Sequence, residues 1–327
     1  MYGYEIFHNE IAEAMIDAVR NGRNPHAWII YGEEGMGRGE FAKLISAAVV
    51  CSNKKNAPCG ECRSCVMSKA GTHPDIRFVL PENGKKTIGV EVIRKFNDDV
   101  FIRPFFSDNK VYIIDGDLLL TAAQNALLKT IEEPPEYAVF IITSTHLETI
   151  LDTVQSRCAL VKLPNLGTDR VSEYIEGKIP SLEGRAGFYA QFSGGNPGRA
   201  LRLALDENFN LLRKKSFDVV EKIFSSKTAD AFEVSDFFDK NKDDAGDIID
   251  ILLLFFRDML FIGCGYTNMT LNTDYTENLR NIGAYTDIMP YAIDVLSKCA
   301  EMNKNNVSAK HMGAYLALTI KKAIKTR

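Results

Sequence analysis

Between residues 5 and 22, Ile6, Ile11, Met15, Ile16 and Val19 recur at roughly helical spacing and Asn21-Gly22 supplies a stop, which predicts an opening helix. The pattern then changes. Ala27-Trp28-Ile29-Ile30-Tyr31 is a short apolar run that enters a glycine-rich stretch, residues 32–39, after which Phe41, Leu44, Ile45, Ala48 and Val49 resume a helical period. The predicted order is strand, glycine loop, helix. Two further buried strands are predicted at residues 110–115 and 138–143, separated by a helical stretch over 121–133 that stops at Pro134-Pro135. Short apolar strands alternating with helices predict an α/β domain, a parallel sheet with helices on both faces.

Past Leu163-Pro164 the strand signals fade into amphipathic helices with short polar joints. Residues 193–199 make a turn before a helix at 200–205, and a longer helical region begins near Phe209. The chain is therefore divided into a sheet domain over 1–165, a small helical domain over 166–207 and a larger all-α domain over 208–327. Residues 247–263 are apolar nearly all round their middle, so that helix must be buried in its own domain or against another subunit.

Composition narrows the class. Of 327 residues, 46% are hydrophobic and 25% charged, which excludes wholesale disorder. The net charge is −4 and neither half is basic, so strong nucleic-acid binding by this chain alone is not expected. A basic flank with an apolar h-region is missing at the start, and no apolar run reaches the ~20 residues of a membrane span, so a cytoplasmic protein with no membrane partner is expected.

Candidate chemistry begins at the glycine loop. A P-loop follows a strand as Gly-x4-Gly-Lys-Ser/Thr: backbone N–H groups and the helix N-terminus cradle phosphate, Lys neutralises it and the hydroxyl ligates Mg²⁺. Gly32, Gly35 and Gly37 keep the shape, but Arg38 replaces the Lys and Gly39 the hydroxyl residue. Asp115 ends a strand as a Walker B aspartate does, yet the position of the water-polarising Glu holds Gly116. The site reads as a degenerate nucleotide site, with nucleotide absent or weakly bound and no intrinsic hydrolysis; the alternative is a plain strand-to-helix turn.

Of seven cysteines, four are clustered as Cys51-x7-Cys59-x2-Cys62-x2-Cys65, a spacing that suits a closed, structural, tetrahedral Zn²⁺ module over 51–65. An iron–sulfur cluster, free thiols and disulfides stay open as alternatives, because four thiolates alone do not identify a metal. Cys158, Cys264 and Cys299 are read as packing residues.

Several ordered motifs carry a resemblance: Pro25-His26-Ala27, the glycine loop, the four cysteines, Val111-Tyr112-Ile113-Ile114-Asp115, the run from Gln124 to Pro135, and Ser156-Arg157-Cys158. From about residue 5 to 205 the chain resembles the bacterial AAA+ clamp loader subunits of DNA polymerase III. Arg38, Gly39 and Gly116 depart from the active gamma/tau pattern and side with the delta-prime branch. The resemblance implies a lid over 166–207, an oligomerisation collar over 208–327, and gamma/tau and delta subunits as partners, with the sliding clamp and primed DNA met through the assembled complex. It further implies that Arg157, flanked by Ser156 and Cys158, is an arginine finger acting in trans on ATP held by a neighbour. Ser144 and Thr145 fall near sensor 1 and Arg199 near sensor 2, where no role in cis is assigned and Arg199 is read as structural; Lys129 is a weak candidate for DNA phosphate. The rival readings are an active gamma/tau-type ATPase, a stand-alone zinc-dependent DNA-binding protein, and an AAA+ scaffold for another assembly.

Overall fold

The computed structural model describes residues 7–326 apart from 83, 183 and 283–284. Ile6, counted in the opening helix by its spacing, lies outside them. Helix α1 (Asn9–Arg20) buries Met15, Ile16 and Val19 and is capped at Asn21. The first of two compact units covers residues 1–165. It continues through β1 (Ala27–Tyr31), α2 (Arg38–Val50), α3 (Arg63–Lys69), β2 (Ile76–Val79), α4 (Val90–Val100), β3 (Lys110–Asp115), α5 (Thr121–Glu132), β4 (Ala138–Ser144), α6 (Asp152–Gln155) and β5 (Ala159–Lys162).

The strands pair in parallel in the order β2-β3-β4-β1-β5. The three inner strands are the predicted ones and are buried almost throughout, because helices cover both their faces. Ile29, Tyr112, Ile114, Phe140 and Ile142 pack with Ile93 and Phe96 of α4 and with Leu127 and Ile131 of α5. Helix α2 takes the opposite face against β1, β3 and β4 and buries Phe41, Leu44 and Ile45. Each such side chain contributes about 1.5–3 kcal/mol on burial. Strands β2 and β5 form the two edges; Arg77 and Lys162 interrupt their apolar character, and neither strand is predicted by the sequence pattern.

Two buried polar side chains fix the connections. Gln124 of α5 donates to the Thr149 carbonyl (2.9 Å) and accepts from the Leu151 amide (2.7 Å), so α5 holds the segment leading into α6. Asp75, 1% exposed, accepts the amides of Phe105 (2.6 Å), Phe106 (2.7 Å) and Ser107 (2.8 Å) and pins the loop before β3. Burial works to raise the Asp75 pKa, but these donors outweigh it and hold the carboxyl below the usual aspartate range.

The second unit, residues 166–327, consists of helices and their connections, with no strand among its described residues. Its helices are α7 (Thr168–Lys178), α8 (Ala186–Phe192), α9 (Pro197–Leu205), α10 (Glu207–Phe224), α11 (Asp230–Lys240), α12 (Ala245–Gly263), α13 (Thr276–Ile282), α14 (Met289–Lys304) and α15 (Ala309–Lys325). One buried apolar cluster runs from Val171 to Ile320, and α12 places Ile251, Leu252, Phe255, Phe256 and Met259 within it, inside its own unit. Arg213, 4% exposed, forks onto Asp274 (2.7 and 2.8 Å) beneath the Phe188 ring, joining α10 to α8 and the segment before α13. The remaining cysteines divide: Cys299 is buried and Cys158 half-buried against the sheet core, but Cys264 is exposed and is not a packing residue, because it lies beyond the end of α12.

Asp75→Asn should lower stability by about 1.5–3 kcal/mol in urea unfolding at neutral pH, since an amide replaces a charged acceptor with one that is weaker and partly a donor. The folded pKa lies below the unfolded value of about 3.9, so this stabilisation is complete above pH ~4 and is lost as pH falls through the folded value. The gap between wild type and variant should therefore close in acid.

Candidate functional site

The glycine loop leaves β1 at Tyr31 and crosses a tight neck: a Cβ on Gly32 would lie 2.6 Å from the Leu163 carbonyl oxygen. Gly35 (φ +97°) and Gly37 (φ +78°) take left-handed turns that other residues adopt only with strain, and Gly37 caps α2. The backbone thus delivers the free N–H groups of a helix N-terminus to the end of the sheet, a geometry suited to an anion.

The side chains around this cradle do something else. Arg38, in the lysine position, places Nη1 3.1 Å from Asp117 Oδ2. Asp117, in the single turn after β3, also accepts the Ser144 hydroxyl (2.7 Å) and the Thr145 amide (2.9 Å) from the end of β4. Burial alone would raise the Asp117 pKa, but Ser144, Thr145 and Arg38 together bring it below the ordinary aspartate range. A carboxylate of this chain therefore answers the charge that a P-loop reserves for phosphate. The motifs do not single out Asp117; its one signal in the sequence is an acid two residues past Asp115.

The other two departures differ from each other. Gly39 is exposed, and a Cβ placed on it would meet nothing within 4 Å, so a hydroxyl residue would fit there. Gly116 is buried, and a Cβ would meet Ile150 Cδ1 at 2.6 Å and the Thr143 carbonyl at 3.0 Å. Asp115 sits exposed at the end of β3 and accepts the Asp117 amide at 3.1 Å.

Between α2 and β2 the four clustered cysteines converge, with all their Sγ atoms within 4.8 Å of one another. Cys51 Sγ lies 3.9 Å from Cys62 Sγ and Cys59 Sγ 4.0 Å from Cys65 Sγ, close to the edge of about 3.8 Å in a tetrahedron of 2.3 Å Zn–S bonds. The amides of Cys62 and Cys65 point at Cys59 Sγ (3.3 Å) and Cys62 Sγ (3.4 Å), as suits thiolate acceptors. Burial opposes ionisation of Cys62, yet donors from Ser52 and the Cys65 amide bring its thiol down to about 6, while burial pushes Cys51 up. Four convergent sulfur donors could hold a metal ion, and all seven cysteines are free of disulfides.

Arg157 follows α6 on the surface. Its Nη1 donates to the Thr153 carbonyl (2.7 Å) and the Ser156 hydroxyl (3.1 Å), and its Nη2 lies 2.5 Å from Glu132 Oε1 at the end of α5. Ser156 is exposed and Cys158 turns back to the core. Lys129 is exposed on α5. In the second unit, the exposed Arg199 lies 5.8 Å from the centre of the Phe192 ring.

The parallel sheet, the glycine loop on β1 and a second unit with no strand among its described residues define an α/β domain of P-loop type followed by a helical unit. Residues 7–167 match the family described as DNA polymerase III, delta subunit. The DNA polymerase III subunit delta' of Escherichia coli (strain K12) is 32% identical over 199 residues, 60% of this chain and 60% of that one. That of Yersinia pestis is 37% identical over 139 residues, 42% and 41% respectively. The chain thus spans from two-fifths to three-fifths of these relatives' length. A solved gamma subunit-related protein from Thermotoga maritima aligns over 96% of this chain and 98% of that one, at 19% identity and a TM-score of 0.38. Over residues 7–167 the chain is thus similar to the delta-prime subunits of DNA polymerase III.

The two glycines should respond oppositely to restoration of the P-loop ATPase residues. Gly39→Ser should leave thermal stability unchanged or raise it by up to about 1 kcal/mol, because the space is open and a helical glycine is replaced. Gly116→Glu should cost about 1–3 kcal/mol, because Ile150 and the end of β4 must give way.

Proposed function

We propose that this chain is the non-hydrolysing stator of a DNA polymerase III clamp loader and lends Arg157 in trans to ATP bound by an adjoining gamma/tau-type subunit. The observation that carries this reading is the Arg38–Asp117 pair: the phosphate loop keeps its backbone while its cation is neutralised from within. Phosphoryl transfer relies on positioning and charge stabilisation, and here the lysine, the Mg²⁺ hydroxyl and the second acid are all replaced. Nucleotide is accordingly absent or weakly held at this loop.

Arg157 supports the trans role by its place. It lies half-buried at the surface after α6, on a segment that α5 braces through Gln124. A guanidinium brought to a neighbour's γ-phosphate stabilises the charge that develops in the transition state, an effect of roughly 10³–10⁵ in rate. The four-cysteine module holds structural Zn²⁺, which would tie Cys51 at the end of α2 to Cys65 in α3. Residues 166–207 serve as the lid and 208–327 as the collar through which delta and gamma/tau subunits assemble, and the sliding clamp and primed DNA are engaged by the whole complex. Ser144 and Thr145 serve to hold Asp117 rather than to sense a γ-phosphate.

The purified chain should show no Mg²⁺-dependent ATP turnover above background, with or without DNA, and brisk turnover would overturn the stator reading. In the reconstituted loader, Arg157→Ala should abolish turnover at the adjoining site while the isolated chain melts as wild type; unchanged turnover would remove the finger. Metal analysis should find one zinc per chain, and Cys62→Ser should release it and lower the melting temperature.

A further inference from the structure

From the contacts around Arg157 we infer that Glu132 is a positioning residue that stows the guanidinium when no neighbouring triphosphate is present, an inference that rests on the finger role proposed above. The pair is close, with Nη2 2.5 Å from Oε1, and both side chains are partly open to solvent, at 36% and 44% exposure. Glu132 is the last residue of α5, where the backbone carbonyls carry the negative end of the helix dipole. An acid there does not favour the helix, so its close partner gives the position its purpose. The other terminal nitrogen is held by the Thr153 carbonyl and the Ser156 hydroxyl, so both prongs of the fork that would grip a phosphate are engaged within this chain.

The chemistry is an exchange of counter-ions. A carboxylate carries one negative charge and a triphosphate several, so the guanidinium leaves Glu132 for the nucleotide once a neighbour presents one, and returns when it departs. An exposed pair binds weakly enough for this exchange, whereas a buried one does not. Stowage competes with nucleotide: it weakens apparent ATP affinity and leaves the rate of the engaged complex unaltered, because Glu132 no longer touches Arg157 there.

The test uses the reconstituted loader carrying Glu132→Gln, Arg157→Ala or both, with KM for ATP and kcat measured separately. Glu132→Gln should lower KM by about two- to five-fold at unchanged kcat, the fold-change that corresponds to an exposed ion pair. The double variant should match Arg157→Ala alone, since Glu132 acts only through Arg157. Melting of the isolated Glu132→Gln chain should match wild type and exclude a folding defect. If Arg157→Ala cuts turnover but Glu132→Gln leaves KM unchanged or lowers kcat, stowage is overturned and the finger stands. If Arg157→Ala has no effect, both fall together.

Discussion

A guanidinium at the start of a helix is a positive charge beside the positive end of the helix dipole, and Arg38 stands there because Asp117 answers it across the sheet. The same carboxylate takes the Ser144 hydroxyl and the Thr145 amide, so the glycine loop, the end of β3 and the end of β4 meet on one group. The parallel order β3-β4-β1 is what makes this meeting possible, since it puts the C-terminal ends of three adjacent strands side by side. A loop shaped for phosphate thus ends on an arginine that meets an internal carboxylate.

Two arginines in the first unit are each paired with a carboxylate, and their surroundings separate their roles. The Arg38 and Asp117 side chains are 15% and 25% exposed, and Asp117 has two further donors, so the carboxylate is held by more than the arginine. Arg157 and Glu132 face solvent, where water and ions replace either partner at little cost. The first pair is the more enclosed of the two.

The cysteine module stands apart from both pairs, between α2 and β2. Its sulfurs lie within 4.8 Å of one another, and a metal there would join two helix-bearing segments, α2 and α3. In the second unit the continuous core and the Arg213–Asp274 fork give the helices around Phe188 a common support with those from α10 onward.

The central strands, the helix between β3 and β4, the glycine loop and the cysteine cluster are all legible in the bare chain, because each is a local pattern: an apolar run, a helical period or a fixed spacing. The edge strands β2 and β5 escape such a reading, since a strand paired on one side only needs no continuous apolar run, and Arg77 and Lys162 sit comfortably there. Arg38 and Arg157 are likewise marked by position in their motifs. Folding alone settles which anion each guanidinium meets. Asp117 lies 79 residues from Arg38, and Glu132 ends α5 while Arg157 lies in the turn after α6; Coulomb attraction depends on distance in space, which the folded sheet sets and no local pattern records.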